Sequence, residues 1–256
     1  MKKHYARIIL GASYYALGYE SAHDDCLILE QSQTVGSEFH QTVRPAKVRG
    51  GEESPFCGLM REYGVLTDDS FDQLKAQAVV HEYVSRRLGE GMQLVLDAHI
   101  ISVTTSDEGA IVSFIDNEGI STVTADRLID TTDECISSAG EVKCVSKTLN
   151  AFTVALEDGF SEKFLSASPR SRVIEGHMEN EKIVCFAVNP DVPLTDAYRA
   201  LIDTWKKAFP EGEEKILFVA ENFDAVYEPV KDKPCYWVGK RYDDPFIAFA
   251  EGAAAQ

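Results

Sequence analysis

The sequence predicts an α/β fold: a central parallel sheet with a hairpin inserted in it, and a smaller α+β unit beside it. Three observations carry this reading. Two apolar runs, Ile8–Leu10 closing the β-prone stretch 5–10 and Cys26–Leu29, flank a helix-compatible segment at 13–22. Runs without alternation suit parallel strands covered on both faces. A strand–turn–strand pattern occupies 110–124, with Asp116-Asn117-Glu118-Gly119 as its turn. Residues 145–230 then bring further strand patterns and one amphipathic helix.

The elements follow in order. Residues 5–10 are β-prone and run into the breaker Gly11-Ala12-Ser13. Tyr14, Ala16, Leu17 and Tyr19 offer packing positions for a helix over 13–22. His23-Asp24-Asp25 is a polar turn, and Cys26-Leu27-Ile28-Leu29 is a second strand ending at Glu30. Together these form a βαβ unit of about 26 residues. Residues 31–67 read as a long irregular loop containing Gly36, Gly50, Gly51, Gly58 and Gly64, a length that belongs to function or disorder in a compact domain.

Asp68-Asp69-Ser70 is expected to cap a helix over 71–88 with Leu74, Ala78, Val79, His81, Val84 and Leu88 as its stripe; Gly89 and Gly91 stop it. Strands are expected at 92–96 and 99–104, then the hairpin 110–115 and 120–124, then a short buried strand at 127–130. The second unit is expected to hold strands at 151–156, 183–188 and 215–219. A polar loop with Pro169 and Gly176 and a helix over 195–209 with Trp205 in the core complete it. The chain finishes with a strand at 235–238, Gly239, a polar turn and a helix over 245–255. Asp244 stands at its N-cap and Pro245 at its first position.

The 256 residues carry 25 Lys+Arg against 42 Asp+Glu, a formal net charge of −17. Nucleic acid and anionic membrane surfaces are held by Lys and Arg, so neither is an expected partner. A small-molecule substrate is expected, with a second copy or a partner subunit also open. A single phosphate group is a different matter, because a helix N-terminus holds it with backbone N–H groups alone. Near the N-terminus only Ile8-Ile9-Leu10 is apolar, against about 7–15 residues for a signal peptide. No run approaches the roughly 18 residues of a membrane span, so a cytoplasmic protein is expected. Six scattered cysteines (26, 57, 135, 144, 185 and 235) form no C-x-x-C pair. They read as reduced thiols, and no metal site is expected.

The first turn carries dinucleotide chemistry. A Rossmann unit places Gly-x-Gly-x-x-Gly/Ala between strand and helix, with an acidic residue about 20 positions on. Gly11-Ala12-Ser13-Tyr14-Tyr15-Ala16 stands there, and Glu30 lies 19 residues after Gly11. Gly11 serves the tight turn and Ala16 the close helix–strand packing. Ser13 puts a Cβ and a hydroxyl where the second glycine would admit a pyrophosphate. Glu30 suits ribose hydroxyls. An ordinary tight turn with a surface glutamate accounts for the same residues, so the motif alone leaves both readings open.

Four segments in chain order resemble the FAD-dependent oxidoreductases of the glutathione-reductase-type two-part fold. They are Gly11–Ala16 with Glu30, the glycine-containing stretch from Leu29 to Ser37, the helix–strand–hairpin stretch ending in Ala125-Asp126-Arg127-Leu128-Ile129-Asp130-Thr131-Thr132-Asp133, and Tyr236-Trp237-Val238-Gly239-Lys240. The resemblance implies a Rossmann-like FAD-binding domain over 1–144 and 231–256, and a substrate- or cap-like α+β unit over 145–230. It implies FAD as cofactor, with the pyrophosphate on the N-terminus of the helix at Ser13 and the ribose at Glu30. The isoalloxazine would extend toward Gly36, Ser37 and the last helix, whose N-terminus at Asp244 would stabilise negative charge on the reduced ring. The implied cofactor-binding set is Gly11, Ala12, Ser13, Tyr14, Tyr15, Glu30, Gln31, Gly36, Ser37, Thr132, Gly239, Lys240 and Asp244.

Besides Ser13 at the second-glycine position, two positions depart from the family pattern. Asp133 replaces the glycine after Thr132, and Lys240 replaces the aspartate after Gly239. Lys240 could pair with phosphate directly, or Asp243 and Asp244 could take the role after a shift. The implied activity is hydride transfer to or from a small molecule. The alternative is a degenerate, non-catalytic member of the fold acting as a binding or partner subunit. A nicotinamide-dependent dehydrogenase is weaker, because the layout ending in Ile129-Asp130-Thr131-Thr132 is not that of a simple Rossmann reductase. No catalytic acid or base is legible. His40, Arg44 and His177 lie in irregular segments and are expected at the surface. Cys57 is a redox candidate with nothing adjacent to lower its pKa.

Overall fold

The computed structural model describes residues 2–48, 54–66, 71–138, 140–156, 158–212, 214–231 and 236–256. The expected capping residues 68–70, Gly50, Gly51 and Cys235 lie outside them.

Six strands form the first sheet: β1 (His4–Leu10), β2 (Cys26–Leu29), β3 (Gln93–Val95), β4 (His99–Ser106), β5 (Gly109–Asp116) and β6 (Gly119–Asp130). Their order is β3-β2-β1-β6-β5-β4. The first four in that order are parallel neighbours, and β6, β5 and β4 form an antiparallel meander. The parallel sheet with an inserted hairpin is as expected. β6 is a single strand where the sequence suggests two, because both its edges are paired through the Ala125-Asp126 junction. Ala125 faces Ala110 of β5 on one side and Tyr5 of β1 on the other.

Four helices accompany these strands: α1 (Tyr14–Ala22), α2 (Ser37–His40), α3 (Pro55–Glu62) and α4 (Gln73–Gly89). The expected irregular loop over 31–67 therefore contains two short helices. α3 is capped by Ser54, whose hydroxyl accepts from the Cys57 N–H, with Pro55 in its first turn. The two faces of β2 divide between cores, as strand alternation requires. Cys26 and Ile28 join the cluster under the helices, and Leu27 and Leu29 join the cluster under the meander.

The second sheet is antiparallel throughout. It comprises β7 (Val142–Val154), β8 (Arg172–Glu175), β9 (Glu181–Val188), β10 (Ile216–Val219) and β11 (Asp224–Pro229), with α5 (Phe160–Ala167) and α6 (Leu194–Ala208) packed on it. β9 pairs with one edge of β7, and β10 and β11 share the other. α5, β8 and β11 were not expected. α5 is held by Phe160 and Phe164 packing on Trp205 and Phe209, contacts invisible to local periodicity.

The chain returns to the first sheet at its end. In the described part of the expected strand at 235–238, residues 236–238, Trp237 forms a parallel bridge with Asp130. Asp130 N–H donates to the Tyr236 carbonyl, and Val238 N–H donates to that of Asp130. α7 (Pro245–Ala254) then crosses α1 with backbones in contact. A Cβ on Gly18 would lie 1.9 Å from the Phe249 carbonyl oxygen, and one on Gly252 would lie 2.1 Å from that of Tyr15. Asp244 caps α7 as expected, accepting from Phe246 and Ile247 N–H at 2.9 and 3.2 Å. No described helix is long and apolar enough to cross a membrane.

Candidate functional site

The turn after β1 sits between the ends of β2 and β6. Gly11 adopts φ +84°, a region L side chains rarely occupy, and a Cβ there would press on Thr131 and Thr132 at 3.0 Å. Its N–H donates to the Leu29 carbonyl at 2.9 Å, and the Thr131 hydroxyl donates to the Leu10 and Gly11 carbonyls. Asp130, fully buried, accepts from the N–H and hydroxyl groups of both Thr132 and Ser137, which fixes the loop leaving β6. Ser13 is the N-cap of α1, its hydroxyl accepting from Ala16 N–H at 3.1 Å.

Glu30 is buried at the end of β2. It accepts from Ala12 N–H at 2.6 Å with one oxygen and from Ser32 N–H at 2.8 Å with the other. A carboxylate has about four acceptor positions, so roughly two remain. Glu30 borders a cavity of about 410 Å³ whose lining also includes Gly11, Ala12, Ser13, Gln31, Ser37 and Thr132. A narrower compartment continues from Ser13 and Thr132 to Tyr15, Gly239 and Lys240. Of the thirteen cofactor positions implied by the sequence, only Tyr14, Gly36 and Asp244 line neither compartment. Tyr14 is fully buried, its ring edge-on to Phe39 and Phe56. Gly36 backs onto that ring and donates to the Ala12 carbonyl. Asp244 is buried, and its Oδ1 accepts from two amides of its own helix.

The departures from the family pattern have structural partners. Lys240 forms an ion pair with Glu251 of α7 at 2.5 Å. Asp243 pairs with Arg241. Asp133 pairs at 3.0 Å with Arg44, which is 1 % exposed. Arg44 therefore lies inside the protein, contrary to the surface expectation. It also pairs with Asp224 of β11 at 2.9 Å and donates to the Tyr242 carbonyl. Burial alone would raise the Asp224 carboxyl, but the Arg44 and Arg241 guanidiniums outweigh it and hold the group below the usual carboxylate range.

Glu38 of α2 was not singled out by the sequence. Its Oε1 accepts from the backbone N–H of Tyr14, the first residue of α1, at 2.7 Å. Burial pushes its carboxyl up to about 7, against the opposing pull of that N–H and of Arg44. His40 approaches the Tyr14 phenol oxygen with Nε2 at 3.1 Å. Burial lowers its pKa to about 4, which keeps the ring neutral near pH 7. His177 lies elsewhere, beside Asp72 and Glu175. Burial raises the Cys57 thiol, so it is not an activated nucleophile. No metal-binding group of His, Cys, Asp and Glu is found among the described residues.

No protein-family model matches the sequence, and no curated protein matches it at the sequence level. Similarity appears in three dimensions. p-Nitrophenol 4-monooxygenase from Pseudomonas putida DLL-E4 aligns with a TM-score of 0.56 at 11% identity, over 98% of this chain and 76% of that one. A flavoprotein/dehydrogenase from Cytophaga hutchinsonii aligns at 0.54 and 12% identity, over 98% and 76%. Aklavinone-11 hydroxylase, solved with FAD and aklavinone, aligns at 0.53 and 12% identity, over 98% of this chain and 61% of its own. The chain thus has the α/β fold of FAD-dependent hydroxylases. The likeness does not single out the glutathione-reductase type.

Tested against a dinucleotide, the Gly11 turn, the spare acceptors of Glu30 and the adjoining cavity fit an adenosine end. The first amide of α1 suits a phosphate by position, and Glu38 already bonds to it.

Proposed function

We propose that this chain binds FAD in the cleft along the Gly11 turn and serves as a flavoprotein oxidoreductase acting on a small molecule. The observation that supports it best is Glu30, buried at the end of β2, lining the cavity beside Gly11 and accepting only two hydrogen bonds there. Glu30 would take the ribose hydroxyls, and the Gly11–Ser13 turn with Thr132 would position the pyrophosphate. FAD, when bound, supplies the hydride chemistry. The protein's part is to bind, orient and exclude water. In this reading residues 1–144 and 231–256 form the cofactor unit, and residues 145–230 supply the substrate side.

The test is an absorption spectrum of purified protein followed by thermal melts with FAD. Binding to the native state alone raises stability by about 2.7 kcal/mol at 100 times Kd, so Tm should climb with FAD concentration. A colourless protein whose Tm ignores FAD would sink the reading. A second reading, a cofactor-free member of the fold acting as a binding subunit, is favoured by Glu38 on the α1 amide. It expects that negative result.

A further inference from the structure

Two buried side-chain atoms among the described residues lack any hydrogen-bond partner, Glu38 Oε2 and His40 Nδ1. Both belong to α2, and both side chains meet Tyr14: Glu38 through the backbone N–H and His40 through the phenol. The Tyr14 N–H is among the orphan donors of α1, where the helix dipole presents about half a positive charge. That is the place an anion would take, and a carboxylate of the chain itself is there.

Glu38 also borders both compartments of the cleft. Arg44 attracts it from a distance but gives its hydrogen bonds to Asp133, Asp224 and the Tyr242 carbonyl. The carboxylate therefore faces the cleft without a guanidinium bound to it. In its ionised form Glu38 would confront an entering pyrophosphate as a second anion in a partly desolvated space, where like charges repel strongly.

We propose that Glu38 is an internal occupant of the α1 anion seat, so that a dinucleotide pyrophosphate binds only once the Glu38 carboxylate leaves the Tyr14 amide. The proposal rests on the FAD reading of the cleft, but Glu38 can be tested apart from it. Phe39 and the Gln73 side chain anchor α2, so the movement is a rotation of the Glu38 side chain alone, which gives up its bond to the Tyr14 amide.

The experiment titrates inorganic pyrophosphate and, separately, FAD into wild type, Glu38→Gln and Glu38→Ala by calorimetry. Glu134→Gln, an exposed carboxylate on the same cleft, is the control. Both Glu38 variants should bind each probe about tenfold or more tightly than wild type, while the control changes little. Equal affinities in wild type and Glu38 variants would overturn the proposal and leave the FAD reading standing. Tighter pyrophosphate binding by the Glu38 variants without FAD binding in any protein would support the seat and remove FAD. No binding of either probe to any protein overturns both. Should the variants unfold, wild type alone decides: its Tyr14 amide resonance must shift on saturation with either probe, and an unmoved resonance overturns the proposal.

Discussion

Arg44 and Asp224 form an ion pair at 2.9 Å with side chains 1 % and 3 % exposed. The pair joins the segment after α2 to β11 and so locks the second sheet against the cleft. Asp224 keeps its bonds to Arg241 when Arg44 is removed, so what is lost is the buried guanidinium's own bonds to Asp224, Asp133 and the Tyr242 carbonyl, about 1.5–3 kcal/mol for bonds to charged groups. Arg44→Met should lower the urea midpoint accordingly with an unchanged m-value. A loss under about 1 kcal/mol would mean that the pair is solvated.

Glu38 and His40 should give opposed pH dependences. Burial raises Glu38 from 4.5 to about 7, so the folded state holds its proton longer than the unfolded chain. That contribution is present in acid and is lost as pH rises toward 7. Arg44 and the Tyr14 N–H pull the other way, and Asp133 adds to the rise. Burial lowers His40 from 6.5 to about 4, so the folded state sheds its proton earlier, and stability from this group grows as pH rises through that window. Over about pH 5 to 6.5 the two slopes oppose each other. Glu38→Gln should therefore make stability rise with pH relative to wild type, by up to about 1.4 kcal/mol per pH unit. Urea midpoints across that range check it, and parallel profiles would contradict it.

The crossing of α1 and α7 should tolerate no side chain. Gly252→Val would drive a Cβ into the Tyr15 carbonyl and should cost about 1–3 kcal/mol or more. Gly58→Ala is the counter-test. Gly58 lies in α3 with open space around it, and alanine there should stabilise by about 0.4–1 kcal/mol. Thermal melts of the two variants should move in opposite directions.

Asp244→Ala should remove the N-cap of α7 and cost about 0.5–2 kcal/mol. Because Asp244 lines neither compartment of the cleft, FAD affinity should follow stability only. A large affinity loss in a variant of near-native Tm would place Asp244 at the cofactor after all.

Glu30→Ala should weaken FAD binding by about tenfold or more, since hydrogen bonds to a charged group are worth about 1.5–3 kcal/mol. It should also loosen the turn, seen as faster hydrogen exchange at Ala12 and Ser32. Faster exchange with unchanged FAD affinity would make Glu30 a purely structural residue.

Much of the framework was legible before the structure. The β-prone stretch 5–10 and the apolar run 26–29 became β1 and β2, the hairpin became β5 and β6, and Asp244-Pro245 opened α7. These are local signals, written within one or two turns of chain. The two helices within 31–67 carry too few residues to establish a periodicity. α5 and β11 depend on partners far along the chain, Trp205 and Phe209 for one and β7 for the other.

The cleft divides the same way. A glycine turn, a helix start and an acidic residue 19 positions after Gly11 are properties of a single βαβ unit, and the residues themselves determine them. The tertiary structure alone decided that Arg44 lies buried against residue 224, and that Glu38, 24 residues beyond Tyr14, bonds the first amide of α1. Hydrogen bonds and ion pairs between segments distant in sequence leave no periodicity behind. Glycine and strand patterning mark the helix start, and only the folded chain shows that the Glu38 carboxylate bonds its first amide.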